Sequence, residues 1–377
     1  MKTIALLAAA LTAALSGTCA TNETKSAFTP YAWRGFMLDE ARHFFGKEKV
    51  KEIIDLMAEH KMNVFHWHLT DDQGWRIDLP GLPELVRAGA VRPCSPPLGL
   101  DSGSDGKPYG PFFYTADEAR EIVAYAAARG IRVMPEIDLP GHVRALLAAH
   151  PEFACAPRDE LHHPWTGYGV TSDVLCIGNE EAVRYAERII DAICEIFPSE
   201  YIHLGGDECP RTRWNKCPKC AKLTQAAFTM RMAKHLESKG RRMVAWDEVL
   251  SAPDLPKSVV IHCWRKASYG NLAAKRGHDV IMSPLNRTYL SIPTGEPDDA
   301  KWHYRAWVRK MRITVAGIRS FSPTAGIARE LHKCVLGGEC CAWTEVIGSG
   351  EELDFKIRRR MSAFGDALYL GPKKPAP

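Results

Sequence analysis

The sequence predicts a (β/α)8 TIM barrel of the α/β class, from three observations. From residue 31 onward, apolar runs of strand length alternate with amphipathic helical stretches, the pattern of βα units around a parallel sheet. Eight such runs can be counted, the number that closes this kind of sheet on itself. Seven of the eight segments at their C-terminal ends carry an acid, a histidine or a tryptophan, and a barrel builds its active site at that face.

Taken in order, the strands are expected at 35–38, 63–69, 132–137, 201–204, 243–246, 259–263, 279–282 and 335–343. Each is a short apolar run bounded by glycine, proline or polar residues. Between the first two, Val50, Ile53, Ile54 and Met57 recur at helical spacing on one face. Before the third, Ala119, Ile122, Val123 and Ala126 do the same. Thr115 and Glu118 form a capping box for that helix, and Gly130 can close it. A helix from about residue 224 is expected to end at Gly240. Two long connections, 92–115 and 151–176, are rich in Gly, Pro and polar residues. Both leave strand C-termini, so both are expected to sit over the active-site face.

The chain has 377 residues, 46% hydrophobic and 25% charged, which is enough apolar material for a sizeable core. An α/β barrel takes this length as a single domain. The net charge of only +4, with no basic run interleaved with aromatics, argues against a nucleic-acid partner. Neither a glycine-rich phosphate loop nor a dinucleotide fingerprint is present. The N-terminus reads as an export signal: Met1-Lys2 is followed by an apolar stretch at 4–15, broken only by Thr12, and by small residues up to Ala20. The expected organisation is a signal at 1–20, a short linker at 21–30, the barrel at 31–370 and a tail at 371–377. Export to a periplasmic or extracellular location, with cleavage near Ala20, is expected ahead of a lipid anchor at Cys19. Thr18 is bulkier than the residue that precedes a lipidated cysteine. No segment has the length of a transmembrane helix. Twelve cysteines fit an oxidising compartment.

The stretch "YIHLGGDECP" ends a buried-strand run on two glycines and then sets Asp207 and Glu208 side by side. The other strand ends read "MLDEAR", "HWHLTDDQGW", "PEIDLPGH", "AWDE", "HCW", "SPLNRTY" and "CAWTE". Paired acids ringed by tryptophans and an arginine suit carbohydrate chemistry. Sugar C–H faces pack on indole, and sugar hydroxyls need carboxylate and guanidinium partners. Cleaving a glycosidic bond needs an acid for the leaving oxygen and a group that stabilises an oxocarbenium-like centre. Two acids adjacent in sequence do not easily face each other across that bond. One is therefore expected to protonate, while the other orients a nucleophile supplied by the substrate.

"RGFMLDEARHF", "HWHLTDDQGWRI", "PEIDLPGH", "HLGGDE", "AWDEVL", "IHCW" and "GGECCAWTE" occur in this order from about 31 to 367. Together they resemble the catalytic domain of glycoside hydrolase family twenty, the β-N-acetylhexosaminidases, a substrate-assisted family outside the two-carboxylate scheme. The resemblance implies a retaining exo-β-N-acetylhexosaminidase that needs no cofactor and no metal. Its substrates would be glycans or glycoconjugates with terminal β-linked GlcNAc or GalNAc. Glu208 would be the general acid and then the base. Asp207 would hold the N–H of the 2-acetamido group, whose carbonyl oxygen attacks the anomeric carbon. Tyr289 would bond the acetamido oxygen, and Trp246, Trp264 and Trp343 would enclose the methyl and the sugar face. Arg34 and Glu345 would grip the ring hydroxyls. His142 and Asp71 would form a relay behind Glu208, and Asp138 would support Asp207. Glu208 is expected to be buried beside the second carboxylate, as suits a general acid.

Two features depart from the family pattern. Ser291 stands where an Asp or Asn usually follows the catalytic tyrosine, which leaves preference at the sugar's 4- and 6-positions open. The smaller α/β domain that commonly precedes the barrel is not expected, because the first strand begins about fifteen residues after the signal. The alternative readings are a same-mechanism enzyme acting on sulfated sugars or releasing a disaccharide, and a catalytically weak glycan-binding protein. The latter has no need of the acid pair.

"CPRTRWNKCPKC" holds three cysteines, including a C-x-x-C. These could be part of a zinc site, but structural zinc takes four ligands and no fourth is close in sequence; a distant Cys or His would have to supply it, so a disulfide or free thiols are preferred there. Cys155 and Cys176 bracket the second long connection, and a disulfide between them is expected to restrain it.

Overall fold

The structure is a computed structural model that describes residues 28–98, 104–156 and 159–373. The expected signal and the Cys19 alternative lie outside the described residues. Eight parallel strands close into a barrel: β1 (Trp33–Asp39), β2 (Val64–Asp71), β4 (Arg132–Ile137), β5 (Tyr201–His203), β6 (Arg242–Trp246), β7 (Val260–Cys263), β8 (Val280–Met282) and β9 (Val335–Ala342). Each pairs with the next, and β9 returns to β1. A two-residue strand, β3 (Gly74–Trp75), folds back antiparallel on the end of β2. All eight expected strands are present.

The helices are α1 (Lys47–Glu59), α2 (Glu84–Gly89), α3 (Ala116–Ala127), α4 (Arg144–Ala149), α5 (Glu180–Ile196), α6 (Gln225–Ser238), α7 (Ala267–Lys275), α8 (Leu285–Thr288), α9 (Val315–Arg319) and α10 (Gly350–Tyr369). Helix α1 buries Val50, Ile53, Ile54 and Met57, the face its periodicity marks. The Thr115–Glu118 capping box opens α3, and Gly130 adopts the left-handed conformation just beyond it. Gly240 does the same after α6. Among the described residues, no helix is long and apolar enough to cross a membrane.

Alternation along the strands sorts the barrel interior into layers. Trp33, Val64, Met134, Tyr201, Val244, Val260 and Ile281 pack together as a small apolar cluster, separate from the main core. One pleat further along lie His66, Glu136, His203, Trp246 and His262. The rings of His66, His203 and His262 are 4.6 to 5.8 Å apart. They come from β2, β5 and β7, which are not neighbours in the sheet, so these rings fill the inside of the barrel. Phe65, Trp67 and Leu69 alternate with the inward residues of β2 and belong to the main core. Apolar packing thus supports a buried polar layer, and the site stands above it.

The connection from 92 to 115 is pinned where it starts. Arg92 is buried, lies over the Tyr109 ring and donates to the carbonyls of Arg42 and Gln73. The connection from 151 to 176 packs on the turn after β2, with the Trp165 N–H donating to the Asp72 carbonyl and Thr171 Oγ1 to the Asp72 carboxylate. The expected Cys155–Cys176 disulfide is not formed. All eleven cysteines of the described residues are free. Backbone and side-chain hydrogen bonds hold this connection, and its two cysteines gather with a second pair of thiols without bonding covalently.

Candidate active site

The site begins where β5 runs out. Gly205 and Gly206 have φ of 61° and 87°, a region that side chains with a Cβ rarely enter. A Cβ on Gly205 would also lie 1.8 Å from Asp138 Oδ1. The glycine pair turns the chain sharply at the rim and leaves Asp207 and Glu208 at different depths. The Asp207 side chain is 13% exposed and that of Glu208 46%. Adjacent acids therefore occupy different environments, Asp207 in the floor and Glu208 toward solvent. The expected burial of Glu208 is overturned, because the turn points its side chain out of the floor.

His142 completes this corner. It has φ of 51° and Glu208 has 40°, both strained for residues other than glycine and typical of functional sites. His142 Nε2 lies 3.7 Å from Asp207 Oδ2 and 3.8 Å from Glu208 Oε2. On its other side His142 Nδ1 is 3.1 Å from Asp71 Oδ1. Burial opposes charge on His142, but Asp71 and Asp207 outweigh it and hold its pKa well above the usual range. Burial would likewise raise Asp71, yet Arg42 and His142 hold it well below. An Arg42–Asp71–His142 chain of alternating charge thus ends at the acid pair. Burial lifts Asp207 to about 7, assisted by the negative charge of Glu136 and Glu208 and opposed by His142. Asp138 sits at the end of β4, its Oδ2 3.9 Å from His68 Nε2. Burial, with Glu136 and Asp207 nearby, holds Asp138 well above the carboxylate range.

Beneath this corner the polar layer fixes the aromatic floor. Glu136 Oε1 accepts from Trp246 Nε1 at 2.9 Å and lies 2.8 Å from His203 Nδ1, while Oε2 meets His68 and His66 at 2.5 and 2.9 Å. Trp246 stacks on His262 with centroids 4.1 Å apart. Tyr289 follows α8 and lies between Trp264 and Trp343, at 6.4 and 6.0 Å. Trp264 donates its indole N–H to Glu248 at 3.1 Å. Trp246, Trp264, Tyr289 and Trp343, with Arg42, Glu345 and Ser291, line a pocket of about 340 Å³ that also contains His142, Asp207 and Glu208. Among the described residues Asp207 Oδ1 is buried without a hydrogen-bond partner, an acceptor held ready at the pocket floor.

The structure brings together Asp207, Glu208, Tyr289, His142, Trp246, Trp264, Trp343 and Glu345 around this pocket, with Asp71 and Asp138 behind it. Arg34 is not among them. It sits at the start of β1, at the other end of the barrel, where it donates to the carbonyls of Lys61 and Tyr31 and faces the Tyr369 ring at 5.6 Å. Arg42, three residues beyond the end of β1, lines the pocket in its place, as does Arg305. Arg42 pairs with Asp71 at 2.7 Å and Asp39 at 3.2 Å, donates its Nε–H to Gln73 Oε1 at 2.8 Å, and lies 5.2 Å over Trp343. The signal that distinguishes the two was present: Arg42 follows its strand, whereas Arg34 lies near its beginning. Glu248 is a second omission. Burial and the charges of Asp207 and Asp247 raise it to about 8. Trp307 also borders the pocket although it is 60% exposed. It comes from a single 3-10 turn, Ala306–Val308, too short to show a periodicity that would mark it.

Comparison with known proteins agrees with this geometry. A Porphyromonas gingivalis beta-hexosaminidase is 36% identical over 90% of this chain and 43% of its own length. A Vibrio furnissii beta-hexosaminidase is 35% identical over 92% of this chain and 58% of its own. The chain therefore spans about half the length of these relatives. A solved exo-β-N-acetylglucosaminidase from Vibrio harveyi, in complex with N-acetylglucosamine, superposes with a TM-score of 0.76 at 29% identity. The match covers 90% of this chain and 55% of that one. The catalytic-domain profile of glycosyl hydrolase family 20 matches residues 31–371, and the chain belongs to that family.

Proposed function

We propose that this chain is a retaining exo-β-N-acetylhexosaminidase that removes terminal β-linked GlcNAc or GalNAc by substrate-assisted catalysis. One observation carries the reading: two adjacent carboxylates at different depths of an aromatic pocket, Asp207 in the floor and Glu208 toward the mouth. A pocket of about 340 Å³ suits one sugar ring better than an extended glycan.

In the first step Glu208 protonates the leaving oxygen, which lies toward solvent. Asp207 accepts the acetamido N–H and turns the acetamido oxygen onto the anomeric carbon. Tyr289 donates to that oxygen. An internal nucleophile gains the proximity advantage of a unimolecular step. The indoles of Trp246, Trp264 and Trp343 keep water from the methyl and strengthen the Asp207 contact. Asp207 then stabilises the oxazolinium ion. Glu208, now the base, activates water for the second displacement, so the anomeric configuration is retained. Arg42 and Glu345 are placed to grip the ring hydroxyls.

Aryl β-glycosides that differ at C2, C4 and C6 test the proposal. The 2-acetamido substrates should be cleaved and the 2-hydroxy ones not, and a thiazoline mimic of the oxazolinium should inhibit competitively. Comparable turnover of β-glucoside and β-GlcNAc would overturn it. The same panel reads out what Ser291, which lines the pocket, does to preference at C4 and C6. Export belongs to the proposal as well, and N-terminal sequencing of the mature protein tests cleavage near Ala20.

A further inference from the structure

The cysteines that do not form the expected disulfide make a site of their own. Cys155 and Cys176 stand on two segments joined at the Ala154–Leu175 bridge, and the Cys176 N–H donates to the Phe153 carbonyl at 2.8 Å. Cys217 and Cys220 come from the C-x-x-C turn after Trp214–Lys216. There the N–H groups of Cys220 and Ala221 both donate to the Cys217 carbonyl, at 3.0 and 2.9 Å. All four sulfurs lie within 4.8 Å of one another. Cys176 Sγ is 3.8 Å from Cys217 Sγ and 3.4 Å from Cys220 Sγ, and Cys155 Sγ is 3.8 Å from Cys220 Sγ. A disulfide brings two sulfurs to about 2.05 Å. A zinc ion held at about 2.3 Å by four thiolates at tetrahedral angles sets them about 3.8 Å apart. These three separations are close to the second spacing and far from the first.

The surroundings agree with a metal. The Gly178 N–H donates to Cys220 Sγ at 3.3 Å, the kind of contact that holds a ligating thiolate in place. A Cβ on Gly178 would lie 2.2 Å from the Lys219 carbonyl oxygen, so only glycine lets the two loops approach this closely. Trp214 is buried between them and donates to the Leu175 carbonyl at 2.9 Å. Arg211, Arg213, Lys216, Lys219 and Lys222 give the segment that carries Cys217 and Cys220 a positive balance, of the sign that suits a zinc tetrathiolate.

We infer that Cys155, Cys176, Cys217 and Cys220 bind one structural zinc ion, which clamps the loop after β4 to the loop that carries Glu208. Binding converts four thiols to thiolates and releases four protons, with no change of redox state. The connection from β5 to α6 contains one short turn, Trp214–Lys216, and no longer element. A bound metal supplies cohesion that so irregular a segment lacks. One clamped loop begins with Asp207 and Glu208, and the other follows His142, so the zinc holds the pocket's corner from outside. This effect on turnover rests on the function proposed above, whereas the metal assignment does not.

The test is the metal content of the full chain, purified without chelator. We expect one zinc per chain that survives gel filtration in EDTA and is released by an organomercurial at four thiols per zinc. Cobalt loading should give the intense visible bands of a tetrahedral thiolate complex. Cys217→Ser/Cys220→Ser should lose the zinc, while Cys155→His, which keeps a ligand, should retain it. Stripping the wild-type protein should lower kcat roughly tenfold to a hundredfold, the cost of a displaced catalytic group. Metal-free protein with these cysteines paired in non-reducing peptide maps would overturn the assignment, as would stoichiometric iron or unchanged zinc in the double serine variant. Full activity after stripping overturns the clamp. Zinc-loaded protein that cleaves no 2-acetamido glycoside counts against the proposed function and leaves the metal assignment standing.

Discussion

Arg34 and Arg42 stand at opposite ends of β1, and the contrast between them shows how the two ends of the barrel are used. Arg34 is held by backbone carbonyls and a tyrosine face, on the side where the strands begin. Those partners are satisfied by Arg34 itself and offer nothing to a ligand. Arg42 is held by two carboxylates, of which Asp71 is itself tied to His142, and it lies against a pocket tryptophan. Both are cations beside an aromatic ring. What differs is the partner: carbonyls end a chain of interactions, whereas carboxylates pass charge on to the next titratable group. The upper end of the barrel is therefore an electrostatic circuit with an open edge, and the lower end is closed packing.

Substitutions at the open edge should have the largest effect. Glu208→Gln should lower kcat by roughly 10²–10⁴, typical of a lost general acid, and less for aryl substrates with good leaving groups. Asp207→Asn should be damaging even with those leaving groups, because it misorients the internal nucleophile. Identical leaving-group dependence in the two variants would refute the division of roles. Next in size is Arg42→Met. We expect kcat/KM to fall by about 10²-fold, and stability to drop by ~3 kcal/mol as the buried Asp71 and Asp39 lose their shared guanidinium. Thermal melts and initial rates read both.

Asp207 allows a pH test of the same contrast. Its pKa is about 7 in the fold and about 4 in an unfolded chain. Between these values the native state keeps a proton that the unfolded state has lost, so this group's contribution to stability falls as pH rises from ~4 to ~7. Above pH ~7 the full cost of a buried carboxylate is present. Asp207→Asn removes that cost, and should stabilise by ~1–3 kcal/mol at pH 8 and by almost nothing at pH 4 while activity is lost. A stability difference that does not change with pH would show that burial is not what shifts Asp207.

Smaller effects are expected at the edges of the comparison. Trp307→Ala should raise KM for oligosaccharide substrates by about three- to tenfold, the value of one aromatic contact, and hardly alter hydrolysis of small aryl glycosides. Arg34→Met should cost ~1 kcal/mol through its carbonyl hydrogen bonds and leave kcat/KM within about twofold of the native value. If Arg34→Met lowered kcat/KM as Arg42→Met does, the contrast between the two ends would fail.

Strand positions and the α1 face were legible because each depends on local spacing: Val50, Ile53, Ile54 and Met57 can only share a face if the chain there is helical. The glycine pair before Asp207 was legible for the same reason, since a left-handed turn favours glycine wherever it occurs. Asp207, Glu208, His142, Tyr289 and the three tryptophans lie in segments that follow or close a strand, and strand direction assigns those segments to one rim, while the family resemblance singled out these residues within them. Arg34 was misassigned because its motif was read as one block, although the block spans a whole strand. Depth was not legible at all. Neighbouring positions in "GGDE" give no hint that one acid is sunk and the other half exposed, because that depends on what β4 places behind them.

Cysteine chemistry shows the same limit. The spacing of Cys217 and Cys220 could be read from the chain, and so could the bracketing of a long connection by Cys155 and Cys176. Whether the pairs were disulfides, free thiols or halves of one cluster could not, because it depends on two loops meeting across the barrel rim. By itself the sequence determined the strand count, the helix faces, the rim and the types of residue that reach it. Each of these follows from periodicity and chain direction over a few residues. Only the tertiary structure decided which arginine enters the pocket, how deep each acid lies and where four sulfurs converge. Those depend on distances between segments far apart in the chain, which close packing sets and no local pattern encodes.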